Sequence, residues 1–429
     1  VPAVDTLILG AGLAGLSTAL HLPGESLILE KSHRPGGLAV SHSEGGYTFD
    51  VTGHWLHMRD PAIRERFGGL VVMPDVVRTS RIFTHQRLIA YPFQSNLKDL
   101  PANVLVECLM GAIDAHVRRA VGAEVPQGFG DFVLHHFGEG IAREFMFPYN
   151  TKLWGVSPFD ISHSWCQRFV PVPDLRQIVE GAVTARNEGD GYNATFSYPR
   201  TGGIEAFSQA LAGKVRHLEL NREVAAIHPG EKWVETVEGI RYDYNHLVSS
   251  LPLKWFVQHL VEAPEDVRNA AALLRCTSLN YLDLGLNRPA LKGQHWVYLP
   301  DPKTIAYRIG SFSNACAVMA PEGCSSLYVE LGNHREYDEG SALDEALDVL
   351  SAMDRPVARE NVDVCRLRRV DHAYVIYDRY YEACLSCILP FLEEHGILSV
   401  GRYGKWVYAS MEDALIDGRN AAKKIEEEE

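Results

Sequence analysis

"DTLILGAGLAGLSTALHL", Asp5 to Leu22, decides the fold class. An apolar strand-like run ends at a glycine turn and passes into an Ala/Leu-rich segment of helical character. Gly10, Gly12 and Gly15 form G-x-G-x-x-G. The first glycine makes the tight turn, the second admits a pyrophosphate to the backbone, and the third lets helix and strand pack closely. The start of the helix offers unpaired N–H groups and the positive end of its dipole to an anion. A second strand, "SLILEKS", ends near Glu30, 20 residues after Gly10, where a carboxylate suits a ribose hydroxyl. In this context the motif reads as a dinucleotide site rather than a ligand-free turn.

Outward from that motif, 429 residues predict two or three packed units. No run approaches the roughly 18 apolar residues of a membrane span. "VPAVDTLILG" has no basic n-region or cleavage site, so the expected location is cytoplasmic. A formal charge of −14 argues against a nucleic-acid partner but leaves room for a small anion in an arginine-lined cleft. The eight cysteines are scattered and read as reduced thiols. Cys384 and Cys387 lack a second pair for zinc and do not follow the first βαβ unit, so no metal is expected. The sequon at Asn193 has no secretory context.

Residues 97–150 read as mainly helical, "NHLVSSLPL" (Asn245 to Leu253) as a returning strand, and 277–335 as β-rich. Helices are expected near 340–353 and over 411–427. The fold class is therefore α/β, with a discontinuous Rossmann-like domain over 1–95, 200–265 and 390–429. A mainly helical capping domain, 96–199, and a β-sheet substrate domain, 266–389, are threaded between its pieces. "KSHRPGGLAVSHSEGGYTFDVTGHWLH" favours FAD over NAD, because Glu30, a basic stretch and Gly36-Gly37 resemble the second fingerprint of amine-oxidase-type flavoproteins. "FDVTGHWLH" is similar to the turn that lies against the isoalloxazine in that superfamily, with Gly53 allowing close backbone approach.

Several unusual segments collect flat aromatics, amides and arginines: "THQRLIAYPFQSNL", which has little helical or strand regularity, "FMFPYNTKLWGVSP", "WCQRFVPVP", "GYNATFSYPRTGG", "HWVYLP", "AYRIGSFSN", "DHAYVIYD" and "GRYGKWVY". Aromatic faces and an amide suit a nucleobase. Guanidinium forks and phenols suit a diphosphate. No Ser/His/Asp order, H-E-x-x-H or carboxylate pair stands out, so the protein binds and the flavin reacts.

These segments, in this order across nearly the whole chain, resemble the UDP-galactopyranose mutases, nearer their eukaryotic branch. The resemblance implies an isomerase that interconverts pyranose and furanose forms of a UDP-sugar, with UDP-galactose first in line. It implies FAD active when reduced, N5 attacking the anomeric carbon, and a setting in cell-surface polysaccharide biosynthesis. Gln94, Phe145, Tyr149 and Asn150 would form the uridine pocket. Arg168 and Arg308 would approach the diphosphate or the sugar from opposite sides, with Tyr298, Tyr374 and Tyr408 on the diphosphate. Asn193 would reach the substrate from a flap, Trp154 would wall the sugar, and His54 would face the flavin on a redox-responsive loop. Arg402 and Met411 would contact the cofactor, with Gly404 making a tight turn and the helix over 411–427 pointing its start at the flavin. The resemblance leaves a homo-oligomer open. The alternative is a net redox enzyme of the amine-oxidase or protoporphyrinogen-oxidase type, since the superfamily fold permits both.

Overall fold

The computed structural model describes residues 3–122, 125–184, 194–332 and 336–428, without the side chains of Ala3, Gln167 and Arg168. Asn193 lies outside the described residues.

The opening motif folds as its spacing predicts. Strand Ala3–Leu9 runs into helix Leu13–His21, and strand Ser26–Glu30 returns parallel to the first, Leu7 opposite Leu27. Leu7, Ile8 and Leu9 are all fully buried, as expected of a strand covered on both faces. Its other neighbour is Arg241–Ser249, also parallel, which takes in the first five residues of the expected returning segment, while the segment's end, Leu253, begins the helix Leu253–Gln258. Leu218–Leu220 and Ile397–Ser399 extend the parallel core, and the antiparallel pair Val224–His228 and Trp233–Thr236 completes a seven-stranded sheet. The last helix, Met411–Glu428, lies directly on Leu13–His21. There the Ser17 hydroxyl donates to the Leu415 carbonyl at 2.6 Å.

A second seven-stranded sheet runs in the order Val362–Val370, Leu279–Leu286, Ser325–Leu331, Ala306–Ser311, Trp296–Tyr298, Ser80–Thr84, Arg87–Ala90. Its pairings are antiparallel except where Ser80–Thr84 runs parallel to Trp296–Tyr298. Residues 80–90, read in sequence as irregular and assigned to the cofactor domain, are thus a hairpin of the other sheet. The turn is made by His85 and Gln86, both at positive φ (50° and 58°), a geometry in which Asn and Gly are the usual signals.

Helices Ala102–Ala120 and Phe129–Ile141 form the helical layer. A π-helical turn over Ala142–Met146 then leads into helix Phe147–Trp154. Such a turn rotates the residues after it relative to a continuous α-helix. Here it carries Phe145 on the approach to Tyr149 and Asn150.

Candidate active site

Between the two sheets and the helical layer lies one cavity of about 1050 Å³. Gly10, Gly12, Glu30, Gly36 and Gly37 line one end. Gly10 is left-handed (φ +95°), and its N–H donates to Leu29. A Cβ on Gly15 would stand 2.0 Å from the Gly10 carbonyl, so Gly15 serves helix–strand packing and does not face the cavity. A Cβ on Gly12 would meet nothing within 4 Å. That open space lies against the backbone beside a helix start that no side chain caps. Glu30 accepts from the N–H groups of Ala11 (2.8 Å) and Ser32 (2.9 Å). A carboxylate has about four lone-pair sites, so it retains capacity for ribose hydroxyls. The open approach at Gly12, the uncapped helix start and the placed carboxylate fit the pyrophosphate and ribose of a dinucleotide.

The middle of the cavity is lined by Gly53, His54, Arg402 and Met411. The His54 ring is hydrogen-bonded through Nδ1 to the Val51 carbonyl. Burial lowers its pKa to about 4, with that carbonyl opposing and Arg402 and Arg308 reinforcing. The imidazole is therefore neutral near pH 7. Arg402 is held by the carbonyls of Ala373 (2.7 Å) and Ala409 (3.3 Å) and lies 5.0 Å from the ring centres of both Tyr374 and Tyr408. Among the described residues it makes no ion pair, so its charge is available to an anionic ligand.

The turn preceding this helix differs from expectation. Gly404 sits inside a short helix, Gly401–Gly404, packed toward the Ser249 carbonyl. The left-handed positions are Gly401 (φ +74°) and, beyond it, Trp406 (φ +56°). Trp406 is fully buried, and its carbonyl accepts from the Tyr381 hydroxyl. The chain is reversed by a buried indole as well as by a glycine. Helix Met411–Glu428 does begin at the cavity, with Ser410, Met411 and Ala414 on its wall.

At the other end stand Gln94, Phe145, Tyr149, Asn150, Tyr298, Arg308, Tyr374 and Tyr408. Phe93, Phe145 and Tyr149 form a run of nearly parallel rings at 5.2 and 5.4 Å spacing. Gln94 donates to the Pro171 carbonyl at 2.6 Å, and Asn150 to Met146 at 2.7 Å. Tyr298 and Arg308 face each other across adjacent strands. Arg308 donates twice to Glu330, at 2.6 Å each. Burial, the largest single influence, opposes its charge, but the Glu330 carboxylate together with Tyr374, Tyr328 and Tyr149 holds the guanidinium above its ordinary value. Burial also raises the phenols of Tyr149, Tyr374 and Tyr408, with nearby arginines pulling the other way. All three remain O–H donors at neutral pH.

Trp154 does not line the cavity. It is 1 % exposed and packs behind the wall against Trp165 (5.0 Å), Tyr374 (5.7 Å) and Tyr408 (6.1 Å). Its indole N–H donates to Asn150 at 3.3 Å, so it supports side chains expected to touch substrate. The backbone of Arg168 lies in the short helix Cys166–Phe169, and its side chain is outside the described set. Among the wall residues not singled out in sequence are Tyr91, Trp165 and Phe169. Tyr91 stacks on Tyr298 at 4.8 Å, and the Arg78 guanidinium lies over the Tyr91 ring, 4.9 Å from its centre. The signal for Tyr91 was its place two residues before Phe93 in the same "AYPFQ" that supplied Gln94.

With this geometry in view, comparison with known proteins is informative. The model for flavin containing amine oxidoreductases matches residues 13–425. The chain belongs to that family. Within the flavin-containing amine oxidoreductase fold, it superposes on a reduced UDP-galactopyranose mutase with a TM-score of 0.93. The two are 26 % identical, over 99 % of this chain and 94 % of that one. A putative protoporphyrinogen oxidase from Exiguobacterium sp. 255-15 matches at a TM-score of 0.75 and 14 % identity, over 100 % of this chain and 99 % of that one. Cyclohexylamine oxidase from Brevibacterium oxydans matches at 0.70 and 14 %, with the same coverage. At that identity these two share the fold. Among the described residues, no helix is long and apolar enough to cross a membrane.

Proposed function

We propose that this protein is a flavin-dependent mutase that interconverts the pyranose and furanose forms of a UDP-sugar, UDP-galactose first. One observation carries the reading. A single cavity joins a glycine-rich dinucleotide turn to an aromatic pocket that also holds Arg308, Tyr298, Tyr374 and Tyr408. An apolar amine has no use for a guanidinium there, whereas a diphosphate does. The likeness to a reduced UDP-galactopyranose mutase supports the same reading.

Gly12, Glu30, Gly36, Gly37 and the start of the helix Leu13–His21 would hold the ADP half of FAD. Gly53, His54, Arg402 and Met411 would meet the flavin. Reduced FAD, when bound, supplies the nucleophile for the anomeric carbon. The chain's own work is binding and charge placement. Gln94, Phe145, Tyr149 and Asn150 would hold the uridine by stacking and amide hydrogen bonds. Arg308, with Tyr298, Tyr374 and Tyr408, would stabilise the negative charge that grows on the diphosphate as the anomeric bond breaks. The same contacts would keep UDP in place for the return step, an advantage of proximity. For Arg168 and Asn193 a substrate role rests on the sequence resemblance.

The test is anaerobic incubation of reduced and oxidised holoprotein with UDP-galactopyranose and related nucleotide sugars, followed by chromatography. Interconversion with reduced protein alone supports the proposal. No interconversion of any sugar, together with flavin reduction by an amine, overturns it.

A further inference from the structure

Lys152 is buried, 6 % exposed, on the helix Phe147–Trp154. Its ammonium is surrounded by oxygens of one turn: the carbonyls of Leu299 (2.6 Å), Asp301 (2.7 Å), Ala306 (2.9 Å) and Thr304 (3.1 Å), and the Thr304 hydroxyl (3.0 Å). Five oxygens for three N–H groups is the environment of a bound cation rather than of a side chain that merely fills space. A buried charge of this kind is expensive, and burial pushes its pKa down to about 7, against Asp301 and Glu345. An apolar residue of similar length would avoid that cost but leave the oxygens of the turn without this donor, so what the lysine secures is the attachment of the turn to the helix.

The geometry shows what the charge accomplishes. The turn over 299–306 joins the strand that ends at Tyr298 to the strand that carries Arg308, and these two residues are directly paired. The helix on the other side carries Tyr149 and Asn150, three and two residues before Lys152. Tyr149 and Tyr298 already touch, ring centres 5.3 Å apart. We propose that Lys152 is a positioning residue: its ammonium locks the 299–306 turn to this helix and so sets the distance between the nucleoside wall and the diphosphate wall. A ligand that spans both walls gains from the lock, and a ligand that uses one wall does not. The ligand class rests on the nucleotide-sugar reading above.

The test compares uridine with UDP on holoprotein, with affinity read by calorimetry and FAD content by absorbance. Lys152→Met should weaken UDP by about 10-fold or more, as expected of loosened positioning. Uridine should change by less than about 3-fold. FAD content should be unchanged. Thr304→Val removes one acceptor, keeps the fold in reserve should Lys152→Met fail to accumulate, and should shift UDP affinity in the same direction by about 2- to 5-fold. Equal weakening of uridine and UDP, or a fall in thermal stability with the UDP preference intact, overturns the positioning role. Wild-type protein that binds neither compound overturns the nucleotide reading itself, and this proposal with it.

Discussion

Arg308 donates from Nε and Nη2 to the two oxygens of Glu330, a carboxylate with no solvent exposure. The pair points a fixed guanidinium edge into the cavity while its other edge is neutralised. Its proposed role toward substrate is separable from its role in the sheet. Arg308→Met should lose stability by about 3–5 kcal/mol, because it strands a buried carboxylate. The double variant Arg308→Met/Glu330→Gln should recover part of that loss. Neither should recover turnover, which should fall about 10²-fold or more with FAD still bound. Urea midpoints and steady-state rates on the two variants check this, and turnover restored in the double variant would remove Arg308 from the substrate.

Gly12 and Gly15 should behave differently although both belong to one motif. A methyl at Gly12 meets open space, and its φ of −71° suits alanine. Gly12→Ala should leave urea stability within about 0.5 kcal/mol of wild type in the flavin-free protein. It should lose flavin absorbance, since the methyl fills the approach to the backbone. Gly15→Ala would force a Cβ onto the Gly10 carbonyl and should cost at least about 1–3 kcal/mol of stability. Retention of FAD by Gly12→Ala would place the pyrophosphate elsewhere.

Stability should fall as the solution is acidified from pH 6.5 toward 4. Burial holds His42, His54, His136 and His295 at about 4, below the ordinary 6.5. Each folds neutral, so its stabilising effect is present above 6.5 and lost as pH falls toward 4. Asp50 and Asp283 act oppositely, since burial raises both to about 6 from 3.8. Four histidines against two carboxylates leave about two protons taken up on unfolding near pH 5. Urea midpoints at pH 7, 6 and 5 read this directly, and a midpoint that rises down to pH 5 would contradict it.

Legibility in the sequence followed the range of the interactions. The N-terminal βαβ unit was readable because its glycine spacing, its apolar strands and Glu30 act within 30 residues of one another. Gln94, Tyr149, Tyr298 and Arg308, which the fold gathers at one end of the cavity, stand in aromatic-rich segments that drew notice in the sequence. Glu330 and Lys152 were not readable, since their partners come from another strand or another layer and only folding brings them together. A lone carboxylate in "SLYVELG" and a lysine in "YNTKLW" were the available traces. Trp154 shares a helix face with Asn150, four residues before it, but it is packed against Trp165, Tyr374 and Tyr408 and does not line the cavity, which again only folding decides. The hairpin at His85–Gln86 was missed because neither residue is a usual choice for positive φ.

The most direct measurement follows the anomeric bond itself. UDP-galactopyranose carrying ¹⁸O in the bridge between the anomeric carbon and the β-phosphate is incubated with reduced holoprotein, and the recovered nucleotide sugar is examined by phosphorus NMR. The account predicts that the label spreads from the bridge into the non-bridging β-phosphate oxygens, because the bond breaks and UDP stays bound until it re-forms. With oxidised protein, or with Arg308→Met, the spread should be absent or far slower. Label spread as fast with oxidised protein as with reduced protein would mean that the reduced flavin plays no part in opening the anomeric bond, and would contradict the central claim.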